Sequence, residues 1–243
     1  MEITRRSLIQ ASAGLALSTL LPLRAWADDT PGTNVTTEQA LASLVEGNRK
    51  FAAGATAPAL NVAGLGKLAA DQHPWATIVC CSDSRVPPEL IFRTGFGELF
   101  VVRNAGNTAA SSQSLGSIEY SVAVLRVPLI VVLGHSDCGA VRAAKSIIDS
   151  NTAYPGSIGP MVEPILPAAN AVRGQPLDNA IVQNVRSVTA RLRSPEQPIL
   201  YPPQRDHLLA VIGGVYDIGS GTVHYVDIPS DIHLPVDASA RPH

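Results

Sequence analysis

Cysteine and charge are both scarce in this sequence. Three cysteines among 243 residues are too few for the disulfide framework of a small secreted scaffold, and an odd number cannot all pair. Charged residues make up only 16% of the chain, and no basic run or basic helix face follows residue 27, which argues against nucleic-acid binding. What the chain does have is apolar material. Hydrophobic residues account for 46% of it, enough for one substantial core.

The first 27 residues have the pattern of an export signal. Arg5 and Arg6 form a twin arginine, a mildly apolar run extends from Leu8 to Leu23, and a small-x-small motif ends at Ala27. We therefore predict a twin-arginine signal peptide over residues 1–27 and a protein that is periplasmic or secreted. The alternative is a retained membrane anchor. Polar residues interrupt the run, which is short for the ~20 apolar residues of a span, so no stable membrane insertion is expected after cleavage.

The rest of the chain is predicted to consist of a linker over 28–35, a single α/β domain over 36–228 and a loose C-terminal tail over 229–243. Short apolar runs rich in β-branched residues alternate with helical segments, as in proteins with a parallel sheet. A strand over 222–228 follows a Gly-Ser-Gly turn and is predicted to pair as an antiparallel edge. The expected fold is therefore a mostly parallel central sheet with an antiparallel edge strand, flanked by helices.

Polar residues follow two of the predicted strands. The runs WATIVCC, residues 75–81, and VPLIVVLGH, residues 127–135, end abruptly in such residues. Ligands of an open parallel sheet collect beyond the carboxyl ends of its strands, so these side chains should meet at one edge. The side chains concerned are those of Cys81, Asp83, Arg85, His135 and Cys138.

Imidazole and thiolate together suit zinc, and His135 precedes Cys138 by three positions with Cys81 elsewhere in the chain. Three protein ligands, rather than four, are typical of a catalytic site that keeps a position for water. Cys80 is an improbable fourth ligand, because neighbouring side chains on a strand point to opposite faces, and it is predicted to be a small core residue. The alternative is a redox protein in which Cys81 and Cys138 form a disulfide on export.

Asp83 and Arg85 are candidates for a supporting role at this edge. Arg85 is able to hold the carboxylate as a bidentate partner, leaving it free to accept a hydrogen bond from a metal-bound water. The alternative is an ordinary salt bridge.

Four motifs in order along the chain carry a resemblance to the β-class carbonic anhydrases. They are CSDSR at 81–85, RNAGN at 103–107, SIEY at 117–120 and GHSDCGAV at 134–141. The resemblance extends over residues 41–146 and implies a zinc enzyme that hydrates carbon dioxide reversibly to bicarbonate and a proton, using zinc-bound hydroxide. It further implies one Zn²⁺ per chain, held by Cys81, His135 and Cys138, with Asp83 and Arg85 as the accompanying pair. Hydrolases of carbon disulfide or carbonyl sulfide resemble the same family and remain an alternative.

Finer similarities place the chain within that family. Members that keep the water position open have a glutamine nine residues before the first ligand, where this chain has Gln72, expected to donate to a substrate oxygen. Bicarbonate-inhibited members have a tryptophan three residues before the ligand, where this chain has Ile78. The resemblance therefore implies the open, non-bicarbonate-inhibited type. His73 is a candidate proton shuttle, although a histidine beside a proline in a loop is more often simply solvated.

The substrate pocket implied by the resemblance uses Phe100, Ala105 and Tyr120, with backbone amides near Gly139. Ala105 departs from the commoner valine, which widens the expected pocket. Tyr120 falls on the face of its predicted helix opposite the core-facing stripe. In the family the equivalent aromatic residues reach a neighbouring subunit, so a homodimer or dimer of dimers is expected; the alternative is a solvent-exposed tyrosine.

Overall fold

The computed structural model of the chain describes residues 33–55 and 64–235. The predicted signal peptide, most of the linker and the end of the tail lie outside these residues. The strands are β1 (Ala76–Cys80), β2 (Leu99–Arg103), β3 (Leu129–His135), β4 (Ala210–Tyr216) and β5 (Val223–Asp227). The α-helices are α1 (Thr37–Ala52), α2 (Leu65–Leu68), α3 (Pro88–Ile91), α4 (Ser112–Ala123), α5 (Gly139–Ser150), α6 (Ile158–Val162), α7 (Leu166–Ala171), α8 (Leu177–Arg193) and α9 (Tyr201–Arg205), and a short 3₁₀ helix covers Glu163–Ile165.

The five strands form one sheet in the order β2-β1-β3-β4-β5. β1 pairs in parallel with β2 and β3, and β3 pairs in parallel with β4. β5 pairs antiparallel with β4 at the edge of the sheet. The predicted fold class is therefore confirmed, including the antiparallel edge strand. Because β1 and β3 are parallel neighbours, the loops that follow them emerge side by side at the same edge.

β3 is buried on both faces of the sheet. Leu129, Val131 and Leu133 pack into a core with α1 and α5, whereas Ile130 and Val132 pack into a second core with α4 and part of α8. This alternation is the two-residue period of a strand covered by helices on both sides. It explains why the strand is a continuous apolar run in the sequence.

The local sequence sets where the helices begin. Thr36 and Gln39 form a capping box at the start of α1, with the Thr36 hydroxyl accepting from the Gln39 N–H and the Gln39 side chain accepting from the Thr36 N–H. Ser111 caps α4 by accepting from the Ser114 N–H at 3.1 Å. Cys138 is the N-cap of α5, so that helix starts directly from a predicted metal ligand.

Two regions hold more structure than the sequence predicts. Residues 151–174 are rich in proline, glycine and alanine, which predicts a loop with a short helix. They contain three short helices, α6, the 3₁₀ helix and α7. Pro164 and Pro167 lie in the first turns of two of these helices, where a missing N–H breaks no helical hydrogen bond. The described part of the predicted tail, 229–235, has no helix or strand, but Ile232 and Leu234 pack against the core. Among the described residues, none of the helices has the length and hydropathy needed to cross a membrane.

Candidate metal centre

The loops after β1 and β3 bring together two thiols and an imidazole. One ligand atom each from Cys81, His135 and Cys138 lies within 4.8 Å of the other two. All three residues are at least 95% buried. The predicted convergence of these side chains at the carboxyl edge of the sheet is therefore confirmed, and the cluster has the size and ligand chemistry of a zinc site.

The His135 ring is oriented toward the two sulfurs. Its Nδ1 lies 2.9 Å from the Ser136 carbonyl oxygen, which can only accept a hydrogen bond, so Nδ1 carries the proton in the neutral ring. Its Nε2 is buried and has no hydrogen-bond partner among the described residues. An unprotonated, unpartnered ring nitrogen beside two thiols is the arrangement expected of a metal ligand whose other nitrogen is fixed by the backbone.

The pKa values of the two cysteine thiols are shifted in opposite directions. The Cys138 thiol donates to Cys81 and holds the pKa of Cys81 below its ordinary value, against the opposing effect of burial, and the Gly106 N–H lowers it further. The same contact raises the pKa of Cys138, and burial raises it further. The pair therefore holds one proton, which must leave when both sulfurs bind a metal.

Cys80 takes no part in the cluster. It is fully buried, and burial raises the pKa of its thiol to about 12. β1 ends at Cys80, so the strict alternation of faces stops there, and Cys80 and Cys81 both contact the same core. Cys80 is nevertheless absent from the set of converging ligand atoms and packs as a small apolar residue, as the sequence predicts.

Asp83 and Arg85 form a bidentate pair at the mouth of the cluster. Arg85 Nε lies 2.9 Å from Asp83 Oδ1 and Nη2 lies 2.8 Å from Oδ2, and the Arg85 backbone N–H also donates to Oδ1. The guanidinium holds the pKa of Asp83 well below its usual range. Asp83 Oδ2 lies 3.9 Å from His135 Nε2. A fixed, ionised carboxylate therefore faces the metal position.

Arg103 braces the ligand loop from the end of β2. Its Nε donates to the Cys81 carbonyl oxygen at 2.9 Å, and its Nη2 donates to the Asp83 carbonyl oxygen at 2.6 Å. Arg103 is part of the RNAGN motif, but the resemblance alone assigns it no role. The signal that points to it is a charged residue at the carboxyl end of a strand beside the ligand strand.

Comparison with known proteins agrees with this geometry. The profile of the family described as carbonic anhydrase matches residues 76–223. The chain belongs to the carbonic anhydrase family. Carbonic anhydrase 2 of Mycobacterium tuberculosis is 50% identical over 127 residues, which cover 52% of this chain and 61% of that protein, so the match spans less than two thirds of it. The carbonic anhydrase of Mycolicibacterium smegmatis is 37% identical over 185 residues, covering 74% of this chain and 89% of that one.

Solved structures place the fold among the β-carbonic anhydrases. A structure from Sordaria macrospora, described as one of two tetrameric β-carbonic anhydrases, matches with a TM-score of 0.60 and 28% identity over 68% of this chain and 87% of that one. A Coccomyxa β-carbonic anhydrase in complex with acetazolamide matches with a TM-score of 0.58 and 29% identity over 76% and 86% of the two chains.

Two of the residues assigned to the carbonic anhydrase pocket lie beside the metal centre. Ala105 is half-buried against the core that contains Cys81 and Cys138. Gly139 is the first residue of α5, directly after Cys138, and it is exposed. The start of this helix is therefore open to solvent next to a ligand.

The other predicted residues lie toward the opposite end of the sheet. Gln72 precedes β1, and Phe100 pairs with Thr77 near the amino ends of β2 and β1. β1 is five residues long and rises roughly 3.3 Å per residue, so about 16 Å of strand separates Gln72 from Cys81. Within one chain the structure does not bring Gln72 to the metal centre.

Phe100 and Tyr120 contact each other, with ring centroids 6.2 Å apart and planes tilted by 32°. Tyr120 is 43% exposed in the single chain. The two aromatic rings therefore contact each other near the amino ends of the strands, away from the ligand cluster.

Proposed function

We propose that this protein catalyses the reversible hydration of carbon dioxide to bicarbonate, with one zinc ion per chain held by Cys81, His135 and Cys138. The observation that carries the proposal is a His135 ring nitrogen within 4.8 Å of two cysteine sulfurs, beside a carboxylate fixed by arginine. The ring's Nε2 is buried and has no hydrogen-bond partner among the described residues. Membership of the carbonic anhydrase family supports it.

The donor set fits zinc. Two thiolates and one neutral imidazole balance the charge of the ion, and three protein ligands leave one position for a water molecule. Zinc bound here would act as a Lewis acid that makes water nucleophilic near neutral pH.

Asp83 is proposed to orient the attacking water. Its Oδ2 accepts a hydrogen bond from the water O–H, which turns the oxygen lone pair toward the substrate carbon. Arg85 keeps the carboxylate ionised and in place through two hydrogen bonds. Because both Asp83 oxygens are engaged by Arg85, the carboxylate is held back from the metal ligands, which supports the open, non-bicarbonate-inhibited type.

Substrate is proposed to bind beside Ala105 and Gly139. Both residues are small, so they leave room for a linear triatomic molecule next to the ligands. Backbone N–H groups at the start of α5 meet the negative charge that develops on the substrate oxygens, since a helix N-terminus carries a partial positive charge.

A complete site is proposed to need a second subunit. Gln72, Phe100 and Tyr120 lie toward the amino ends of β1 and β2, whereas the ligands lie at the carboxyl ends. In a homodimer or dimer of dimers these residues would approach the ligand cluster of the neighbouring chain. The exposure of Tyr120 in a single chain and the tetrameric relatives from Sordaria macrospora support this arrangement.

The test is metal content together with stopped-flow CO₂ hydration, in the wild type, in Cys138→Ala and in Cys80→Ala. We expect about one zinc per chain and CO₂ hydration in the wild type. Loss of both is expected in Cys138→Ala and retention of both in Cys80→Ala, a matched control that removes a neighbouring buried thiol. Zinc without CO₂ hydration would indicate carbon disulfide or carbonyl sulfide as substrate, and a metal-free protein with a Cys81–Cys138 disulfide would refute the proposal.

A further inference from the structure

Helix α8 lies unusually close to the sheet beside the metal centre. A β-carbon at Gly134 of β3 would lie 2.6 Å from Val185 Cγ2, and one at Gly213 of β4 would lie 2.8 Å from Val185 Cγ1. Real β-carbon contacts are not that short, so the helix occupies this position only because both strand residues are glycine. Gly134 is also the residue immediately before the ligand His135.

This close approach carries Asn184 of α8 to the ligand loop. Asn184 is 1% exposed, and its Nδ2 donates to the Gly106 carbonyl oxygen at 2.9 Å. The two residues are 78 positions apart in sequence, so the bond joins the outer helix layer to the loop that follows β2. A buried amide that makes one such long-range contact fixes the position of its partner, because a buried carbonyl that lost this donor would be left without a hydrogen bond.

Gly106 in turn contacts a metal ligand. Its backbone N–H donates to Cys81 Sγ at 3.4 Å. Its φ is +81°, and a β-carbon there would lie 2.4 Å from Ile165 Cδ1. The Gly106 backbone is therefore held between Ile165 on one side and the Asn184 amide on another, with its N–H aimed at the sulfur.

We propose that Asn184 is a positioning residue for the metal centre, acting through the Gly106 backbone to hold an N–H···S hydrogen bond on Cys81. Such a bond withdraws electron density from the thiolate and fixes the direction of its lone pairs, so it tunes both metal affinity and the Lewis acidity of the bound ion. The inference rests on the zinc site of the proposed function, but it concerns a residue outside the ligand set.

The test compares Asn184→Leu with Thr189→Val, each in the full-length protein. Asn184→Leu keeps a side chain of similar size and removes the donor. Thr189 is equally buried on the same helix, but its hydroxyl donates to the Val185 carbonyl oxygen, and among the described residues it makes no hydrogen bond to the ligand loop. Thr189→Val therefore removes a buried polar group from α8 while leaving the contact to Gly106 intact.

Two measurements are made on each protein. Zinc affinity is measured by competition with a chromophoric chelator, and the Co²⁺-substituted protein is examined for its sulfur-to-cobalt charge-transfer absorption. Asn184→Leu is expected to bind zinc about tenfold more weakly, the scale seen when groups supporting metal ligands are removed. Its charge-transfer band should move to longer wavelength, because a thiolate without its hydrogen bond is more easily oxidised. Thr189→Val should match the wild type in both.

Wild-type affinity and an unshifted band in Asn184→Leu would overturn the inference while leaving the zinc site intact. Equal changes in Asn184→Leu and Thr189→Val would also overturn it, because they would show a general loosening of α8. A wild-type protein that binds neither metal would instead refute the proposed function. If Asn184→Leu does not fold, Asn184→Ala is read by the same cobalt band and the same criterion.

Discussion

Replacement of Gly106 by alanine tests how tightly the ligand loop is held. The new methyl group would lie 2.4 Å from Ile165 Cδ1 and 3.2 Å from Ala140 Cβ, and the backbone has a φ of +81°. Left-handed backbone costs a residue with a β-carbon about 1–2 kcal/mol. Forcing a methyl group into a filled core adds about 1–3 kcal/mol. Gly106→Ala should therefore lower the free energy of unfolding by about 2–5 kcal/mol.

Urea unfolding of the metal-free protein measures the free energy of unfolding of Gly106→Ala without the added stability that bound zinc would give. Gly54→Ala is the matched control, because Gly54 has a φ of +74° and, its chain neighbours aside, no atom of the described residues lies within 4 Å of the new methyl position. Gly54→Ala should therefore lower the free energy of unfolding only by the cost of the left-handed backbone, about 1–2 kcal/mol.

The contact itself is tested by adding Ile165→Val, which removes the Cδ1 atom that the methyl group would meet. Ile→Val alone costs about 0.5–1.5 kcal/mol in a core. In the Gly106→Ala background it should cost less or restore stability, giving a coupling free energy of about 1–3 kcal/mol. Additive effects, or a Gly106→Ala loss no larger than that of Gly54→Ala, would show that Ile165 does not confine the loop.

Three further predictions concern the pair at the site, the pocket and export. Arg85→Met should lower the free energy of unfolding at pH 7 by less than about 1 kcal/mol, because Arg85 is 46% exposed, but should reduce CO₂ hydration about 100-fold. The pKa of Asp83 is lowered in the folded protein, so the ionised carboxylate stabilises the fold above the unfolded pKa of about 3.9. This stabilisation is lost as the pH falls below that value toward the folded pKa. The free energies of unfolding of Arg85→Met and wild type, measured with urea, should therefore converge at low pH. Ala105→Val should raise the ratio of CO₂ to carbon disulfide turnover about tenfold by narrowing the pocket, and an unchanged ratio would show that this side chain does not limit substrate size. Replacing Arg5 and Arg6 together by lysine should retain the protein in the cytoplasm on cell fractionation, whereas export of the doubly substituted protein would contradict the predicted signal.

The ligand cluster was predictable because one rule of sheet geometry determines it. Cys81 and His135 each stand at the carboxyl end of a continuous apolar run, and such runs become neighbouring parallel strands. The Asp83–Arg85 pair follows within the same loop, two residues apart. Predicting these positions required only the local sequence and the direction of the strands.

The supporting contacts were not predictable in the same way. Asn184 and Gly106 are separated by 78 residues, and no spacing or period in the sequence links them. Within α8, Asn184 appears as a polar residue in an apolar stripe, a pattern that equally suits a solvated boundary position. Only one short helix is predicted over 151–174 from the sequence, because prolines there indicate breaks. Pro164 and Pro167 instead fall in the first turns of helices, where proline is tolerated, so three short helices form.

Glycines within buried strands show how the metal centre depends on the core around it. Glycine weakens a strand, because it adds backbone entropy to the unfolded chain and gives no side-chain packing. Gly134 is nevertheless in β3, where it pairs with Val215 of β4, and Gly213 of β4 pairs with Val132 of β3. Both glycines therefore lie inside the sheet, where a β-carbon would normally add packing. The compensation is the close approach of α8, which fills the space with Val185 and brings Asn184 to the ligand loop. A substitution at Gly134 or Gly213 would therefore act on the metal centre without touching a ligand, because it would push away the helix that holds the loop in place.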